Sequence, residues 1–406
     1  MKEEILNDID NVEINKVRVS KFDDIYCNLL KQIINNGIKS KNRTGIDTLC
    51  IEGFNFKLEN IQENFPILQS KKVVIKNALS EILWIHQAQS NNVNWLIERG
   101  NNIWNEWKID KDGIYRVYEP TGEFVEKEIQ VVNPYGKNVY DYYGDEMKAK
   151  SLVEGKTIKK AIYYGTEYAD TIGTAYGWIN NKFKRPQELL KTIKEDPDNR
   201  RMNISLWQDE YIKTGTLPPC VWSTEYRVIN DTLNCYVHQR SADVPLGLPF
   251  NVSQYAILLN LFANVSNLNA GTLNYSIMDA HIYENQLDGI KTQFKYYETM
   301  KEIENIAIKN DKRLLVDYYK NIKNNLQMYI NDENKYNEEN IKLKAFDLMI
   351  NNDKPTLKIK ENDDFFKINN MVNNDKEYLK ENPTGNEDIK LLNYKSMPFI
   401  KMPIAQ

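Results

Sequence analysis

Two segments of this sequence are hard to place on a protein surface. Residues 77–89, NALSEILWIHQAQ, are apolar nearly all round a helical wheel, and residues 251–265, NVSQYAILLNLFANV, read as a second buried helix that follows Pro249. Helices of this kind need cover on every side, so the fold must enclose a large core. The 406 residues, 41% of them hydrophobic, can supply one, as a single large domain with insertions or as two domains.

The remaining framework reads as mixed helix and strand. In DDIYCNLLKQIINNG, Ile25, Leu29 and Ile33 recur every four residues, two Asp lead the run and Gly37 ends it, which predicts an amphipathic helix. TLCIEGFNFKL alternates in two phases with Gly53 at the change, the pattern of a strand with a bulge or bend. RMNISLW is a short strand candidate. TLNCYVHQRS is a longer one, with Leu233, Cys235, Val237 and Gln239 on one face and Asn234, Tyr236, His238 and Arg240 on the other. Two stretches differ in composition: roughly 108–170, rich in Lys, Glu, Tyr and Gly, and roughly 297–350, rich in Lys, Asn and Glu with helical periodicity. Both are expected to be insertions on the surface of one domain.

Charge and cysteine content narrow the function. A net charge of −4 from intermixed charges gives no overall attraction to nucleic acid or anionic lipid, so any anion site must be local, and DNA is not an expected partner. Cys27, Cys50, Cys220 and Cys235 form neither a disulfide framework nor a zinc pattern, and only three His are present to add ligands, so no metal is expected. Reduced thiols, no signal-peptide pattern and no apolar run of membrane-spanning length point to a cytoplasmic protein.

Several polar residues fall where the pattern predicts burial or local order. Glu81 shares a helix face with Ala78, Trp84 and Ile85; it is either functional or, on the ordinary reading, in a buried salt bridge or on a helix face turned to solvent. Asn251 sits at a plausible helix N-cap in PLGLPFN, and Arg240 closes a polar strand face. Arg200 and Arg201 precede a strand, where a solvated pair is the ordinary reading and a phosphate clamp the sharper one. In GTLPPCVWSTEYRV, Cys220 stands behind two prolines and ahead of an alternating run; an inert buried thiol is the usual fate of such a residue.

Taken in order, the motifs point further. PPC, then QRSADVPLGLPFN about twenty residues later, then DAHIY, resemble the catalytic half of the thymidylate synthase family. NRTGIDTLCIEGFNF resembles that family's N-terminal arginine loop, NALSEILWI and NNIWNEW its helix and tryptophan segment, and GTAYGW, DPDNRRMNISLW and NYKSMPFIKMPIA follow in family order. The resemblance covers most of residues 22–107, 173–296 and about 354–406. It leaves residues 1–21 as an N-terminal extension to a single catalytic domain, 22–406, interrupted by the two insertions.

The resemblance implies an α+β fold with a large twisted mixed sheet flanked by helices, dimerising sheet to sheet. It implies reductive methylation of dUMP to dTMP, with 5,10-methylenetetrahydrofolate as carbon and hydride donor. Cys220 would add to uracil C6, with Arg240 favouring its thiolate. The dUMP phosphate would be held by Arg43, Arg240 and Ser241, and by Arg200 and Arg201 contributed in trans by the partner of a homodimer. Asn251 would face the uracil, where an Asn fits and an Asp would suit cytosine, Gln239 would also contact dUMP, and His281 and Tyr283 would bond the ribose. Glu81 would organise proton transfers, and Tyr176 would assist removal of the C5 proton. Trp104, Trp107, Asp243 and the tail at Ala405 would close over the folate.

Some positions depart from the family pattern. Val221 and Gln286 stand where His is usual, Glu225 and Tyr226 replace Gln-Phe, and GWINNKF does not reproduce Gln-Trp-Arg. Two alternatives share most of the motifs: a dUMP hydroxymethylase, in which water captures the methylene intermediate, and a silent nucleotide- or RNA-binding homologue.

Overall fold

The computed structural model describes residues 12–42, 44–120, 127–137, 139, 147–151, 156–351 and 353–404. Its centre is a strand–helix–strand unit made from the most apolar stretch of the chain. Strand β9 (Thr232–Asp243) leads through a three-residue turn into helix α5 (Gly247–Asn264), which returns to strand β10 (Asn269–Tyr283), parallel to β9. Parallel neighbours need such a crossover, and its helix must lie on the sheet. Fourteen of the 18 residues of α5 are buried accordingly.

Around this unit the strands β1 (Ile38–Ser40), β2 (Thr48–Leu58), β7 (Asn203–Ser205) and β8 (Val221–Ile229) complete a six-stranded mixed sheet in the order β1-β2-β10-β9-β8-β7. All pairings other than β9–β10 are antiparallel. The alternation read in β9 holds, with Leu233, Cys235, Val237 and Gln239 buried toward the core. On the other face Trp222 and Tyr236 both pack against the His238 ring and are 38% and 36% exposed. Gly53 takes a φ of +68° within β2, where the apolar phase changes.

Helix α1 (Lys21–Asn36) starts where the Ser20 hydroxyl accepts from the Asp23 amide at 3.0 Å, and it buries Phe22, Tyr26, Leu29, Leu30 and Ile33. It stops at Gly37, which leaves the helix in an extended conformation and not a left-handed one; a Cβ there would meet the Ile33 carbonyl oxygen at 2.3 Å. Helix α2 (Ile75–His86) lies against α5, its apolar circumference explained by cover from both sides. Helix α3 (Gly177–Phe183) and helix α4 (Arg185–Glu195) follow one another with Lys184 between them.

The two compositionally distinct stretches fold differently from each other. In the first, β3 (Ile114–Pro120) pairs with β6 (Lys156–Tyr163) and β4 (Glu128–Gln130) with β5 (Lys148–Lys150), around a small separate cluster of Ile114, Val131, Ala149, Ile158 and Ala161. In the second, α6 (Leu287–Ile308), α7 (Lys312–Met328) and α8 (Glu333–Ile350) pack on one another and send Leu315, Tyr319, Phe346 and Met349 into the main core.

Gly177 opens α3 directly after Tyr176, and a Cβ on it would lie 2.0 Å from the Ser90 backbone oxygen. The Ser90 amide nitrogen and carbonyl carbon lie within 2.7 Å of the same point, and backbone atoms cannot swing aside as the end of a side chain can. Gly177→Ala should therefore lower the unfolding free energy by roughly 2–4 kcal/mol. Urea denaturation checks this; an unchanged midpoint would contradict the close approach.

Candidate active site

The carboxyl ends of the parallel strands β9 and β10 and the first turns of α5 converge on one cleft, the usual place for a ligand beside parallel strands. Cys220 ends the loop that enters β8 from the neighbouring side. Its position is over-determined. The Arg240 guanidinium donates through Nε to the Pro219 carbonyl at 3.0 Å and through Nη2 to the Pro218 carbonyl at 2.9 Å, and the Arg240 amide donates to the Cys220 carbonyl at 2.9 Å. The same Nη2 lies 3.8 Å from Cys220 Sγ. A fixed positive charge beside a thiol favours the thiolate, the form a nucleophilic role would need, and the same guanidinium holds the loop in place. The other cysteines are unsuited to this role: burial pushes the Cys27 and Cys235 thiols far up, and Cys50 is raised as well. No cysteine in the structure forms a disulfide.

Tyr176 locks the loop from behind, its hydroxyl accepting from the Cys220 amide at 3.0 Å. The residue holds a φ of +50°, unusual for a bulky side chain and maintained by the packing around Gly177. Burial, and the Cys220 charge beside it, push its phenol well above the ordinary range, so it stays protonated. Its ring meets Trp104 edge-on at 5.1 Å.

Trp104 connects this cysteine side to the carboxylate side. Its indole N–H donates to Glu81 Oε1 at 2.9 Å, and the Gln254 amide donates to Glu81 Oε2 at 2.6 Å. Glu81 is thus held by two neutral donors and, among the described residues, by no cation. Burial raises its pKa to about 7, the two hydrogen bonds pulling the other way without cancelling it. The salt-bridge reading of Glu81 is accordingly not what the fold contains.

Asn251 is not a helix N-cap. The helix begins four residues earlier, with Leu246 at the cap position, because Pro249 is accommodated in its first turn. Asn251 instead lies one turn before Gln254 on the same face, donating to Gln254 Oε1 at 3.0 Å and accepting from Gln239 Nε2 at 3.2 Å. Gln239 is fixed in turn by the Tyr275 hydroxyl, at 2.5 Å, and by its own bond to the Ser241 carbonyl at 2.9 Å. Val221, where His was expected, is buried opposite Gln239 and adds no polar group.

Beyond Asn251 the cleft turns polar. His281 and Tyr283 lie at the end of strand β10 with their rings edge-on at 5.2 Å, and Arg240 and Ser241 sit half-buried on β9. Asp243 ends β9. It accepts from the Leu246 amide and, on both oxygens, from Gln286 Nε2 at 3.1 Å, while burial raises its pKa. Gln286, the second His replacement, is fully buried and also donates to the Pro403 carbonyl at 3.2 Å, which joins the C-terminal strap to Asp243. Trp107 stands half-open against Trp104. Arg43 and Ala405 lie outside the described residues.

Among the described residues, no hydrogen bond or ion pair joins Arg200 or Arg201 to the groups of this cleft. Both arginines are exposed beside the edge strand β7, and among the described residues neither guanidinium has a hydrogen bond or ion pair. Among the described residues no three His, Cys, Asp or Glu gather as a metal site, and no helix is long and apolar enough to cross a membrane. Sequence reasoning passed over Gln254 and Tyr275. Gln254 could have been found as a second amide three residues after Asn251 on a helix otherwise full of apolar side chains; Tyr275 carries no such signal.

Residues 24–338 match the family described as thymidylate synthase. The chain belongs to the thymidylate synthase family. It is 35% identical over 275 residues to a thymidylate synthase of Clostridium beijerinckii, covering 68% of this chain and 82% of that one. It is 32% identical over 279 residues to one of Listeria monocytogenes, covering 66% and 85%, and 31% identical over 292 residues to one of Mycoplasma genitalium, covering 71% and 90%. The fold is similar to that of the thermostable thymidylate synthase A of Bacillus subtilis, with a TM-score of 0.55 over 92% of this chain and 96% of that one, at 24% identity. Membership of the thymidylate synthase family makes the chain a methyltransferase enzyme, and the α+β architecture expected from the sequence is the one the fold has.

The raised pKa of Glu81 has a measurable consequence for stability. An unfolded Glu releases its proton near 4.5, whereas folded Glu81 keeps it until about 7. Between those values the folded state binds more protons, so this group's contribution to stability falls as pH rises, and above 7 the full cost is present. The stability difference between Glu81→Gln and the wild type should therefore shift in the variant's favour by up to roughly 3 kcal/mol from pH 4 to pH 8. Denaturant titrations across that range test it; a pH-independent difference would mean an ordinary carboxyl.

Proposed function

We propose that this protein is a thymidylate synthase that methylates dUMP reductively to dTMP, with Cys220 as its nucleophile. The observation that carries the reading is the thiol fixed 3.8 Å from the Arg240 guanidinium at the mouth of the parallel strands, in the cleft that also holds Glu81 and Asn251. Uracil C5 is too poor a nucleophile to accept a one-carbon unit. Addition of the Cys220 thiolate to C6 makes the ring an enolate with electron density at C5, and later loss of the C5 proton and of the sulfur restores the double bond.

Each remaining group has a task in that sequence. Arg240, Ser241 and Arg43 hold the phosphate, and Arg200 and Arg201 of a second subunit complete the clamp; their exposed, unpaired guanidinium groups favour this. The dimer forms sheet to sheet through the face that leaves Trp222 and Tyr236 exposed. Asn251 donates to uracil O4 and accepts from N3–H, and His281 and Tyr283 bond the ribose. Glu81, with a pKa near neutrality, exchanges protons at O4 and C5 through water. Tyr176 lies beside the sulfur and assists removal of the C5 proton.

5,10-Methylenetetrahydrofolate, when bound, supplies the one-carbon unit and the hydride. The half-open Trp107, the edge-on Trp104 and the Asp243 carboxyl offer the flat apolar surface and the acceptor that a reduced pterin needs, and the strap held by Gln286 lies beside them.

Cys220→Ser removes the thiolate and leaves the phosphate and base contacts intact. It should bind dUMP nearly as well as the wild type, while turnover and tritium release from dUMP labelled at C5 fall by about a thousandfold or more. Undiminished release would mean that the chemistry belongs to another residue. If wild type yields 5-hydroxymethyl-dUMP and unoxidised folate, the protein is a hydroxymethylase.

The shared site makes a second prediction. Cys220→Ser and the double variant Arg200→Ala/Arg201→Ala should each be inactive alone. After subunit exchange, mixed dimers regain one complete site, so activity should return to about a quarter of the wild-type value. No recovery in verified mixed dimers would exclude contribution in trans.

A further inference from the structure

An asparagine does not by its identity choose uracil over cytosine. A terminal amide turned by 180° exchanges its donor and acceptor at nearly the same positions. Uracil presents an O4 acceptor and an N3–H donor, and cytosine the reverse, so one orientation of Asn251 suits each base. The choice rests on whatever prevents the amide from turning. On one side Gln239 Nε2 donates to Asn251 Oδ1 at 3.2 Å, and Gln239 is itself oriented by the Ser241 carbonyl, which can only accept. On the other side Asn251 Nδ2 donates to Gln254 Oε1 at 3.0 Å, and Gln254 is oriented by donating to Glu81 Oε2 at 2.6 Å. Gln239 and Gln254 are 3% and 2% exposed, so water cannot easily replace a bond lost to either, whereas Asn251 itself faces the cleft.

We propose that Gln254 is a specificity-determining positioning residue, which holds the Asn251 amide in its uracil-reading orientation by transmitting the acceptor character of the Glu81 carboxylate through its own amide. This rests on the reading of Asn251 as the group that faces the pyrimidine edge. Turning Asn251 over would set its Oδ1 against Gln254 Oε1. With Glu81 ionised and able only to accept, Gln254 could relieve that clash only by turning its NH2 group away from Glu81, giving up the 2.6 Å bond. The group that handles protons and the group that reads the base are thus held by one side chain.

The test compares binding of dUMP and dCMP to the full-length protein by calorimetry. Gln254→Met keeps the volume and removes both bonds. It should weaken dUMP binding while leaving dCMP binding equal or tighter, so that the ratio of the two dissociation constants falls at least about tenfold. General loosening of the site would weaken both nucleotides alike and leave the ratio unchanged. Gln254→Glu keeps an acceptor toward Asn251 and should hold the ratio within about threefold of wild type. If the Met variant does not fold, Gln254→Ala carries the same expectation. A wild-type preference for dUMP that persists within twofold in Gln254→Met or Gln254→Ala overturns the role of Gln254 and leaves that of Asn251 standing. A wild type that binds both nucleotides equally overturns the reading of Asn251, and this inference with it.

Discussion

The parallel pairing of β9 with β10 through α5 is the constraint on which the rest of the molecule depends. A helix that joins two adjacent parallel strands must lie across them, and here it is covered by α2 on its other side. Almost no side chain of α5 reaches open solvent, so each polar group it carries needs a partner inside the protein. Ser253 donates to the Pro66 carbonyl, Asn260 to the carbonyl one turn back, and Gln254 and Asn251 are satisfied through Glu81 and Gln239. The catalytic cleft is where this internal network reaches the surface.

Electrostatics within the cleft follow from the same burial. Glu81 and Asp243 are both held by neutral donors and pushed up by loss of water, while the Arg240 guanidinium beside the thiol is tied to two proline carbonyls. Those bonds fix Arg240 in place without neutralising it. A carboxyl near neutrality and a cation beside a thiol are opposite perturbations, and the sheet keeps them on different elements, with Trp104 and Tyr176 between. Buried Lys71, its pKa lowered to about 8, donates to the Pro245 carbonyl in the turn after Asp243 and stiffens the same corner.

Much of this was legible in the chain. The alternation in TLNCYVHQRS identified β9 and which of its faces is buried, the phase change at Gly53 marked an irregular strand, and the order of PPC, QRS and PFN carried the family. Other features could not be read. The pairing of Asn251 with Gln254 was obscured by a cap assignment that Pro249 invited, and the position of Tyr275 beside Gln239 depends on a strand register some 36 residues removed.

The sequence by itself determined which segments are buried, which family the chain joins and which residue types are available for chemistry, because periodicity and motif order are local properties of the chain. The tertiary structure decided what those residues become. It set Arg240 beside Cys220 from another strand, gave Glu81 two neutral partners in place of a cation, and turned Gln286 into a link between Asp243 and the C-terminal strap. Charge state and amide orientation depend on what surrounds a group in space, and the chain's one-dimensional pattern does not contain that information.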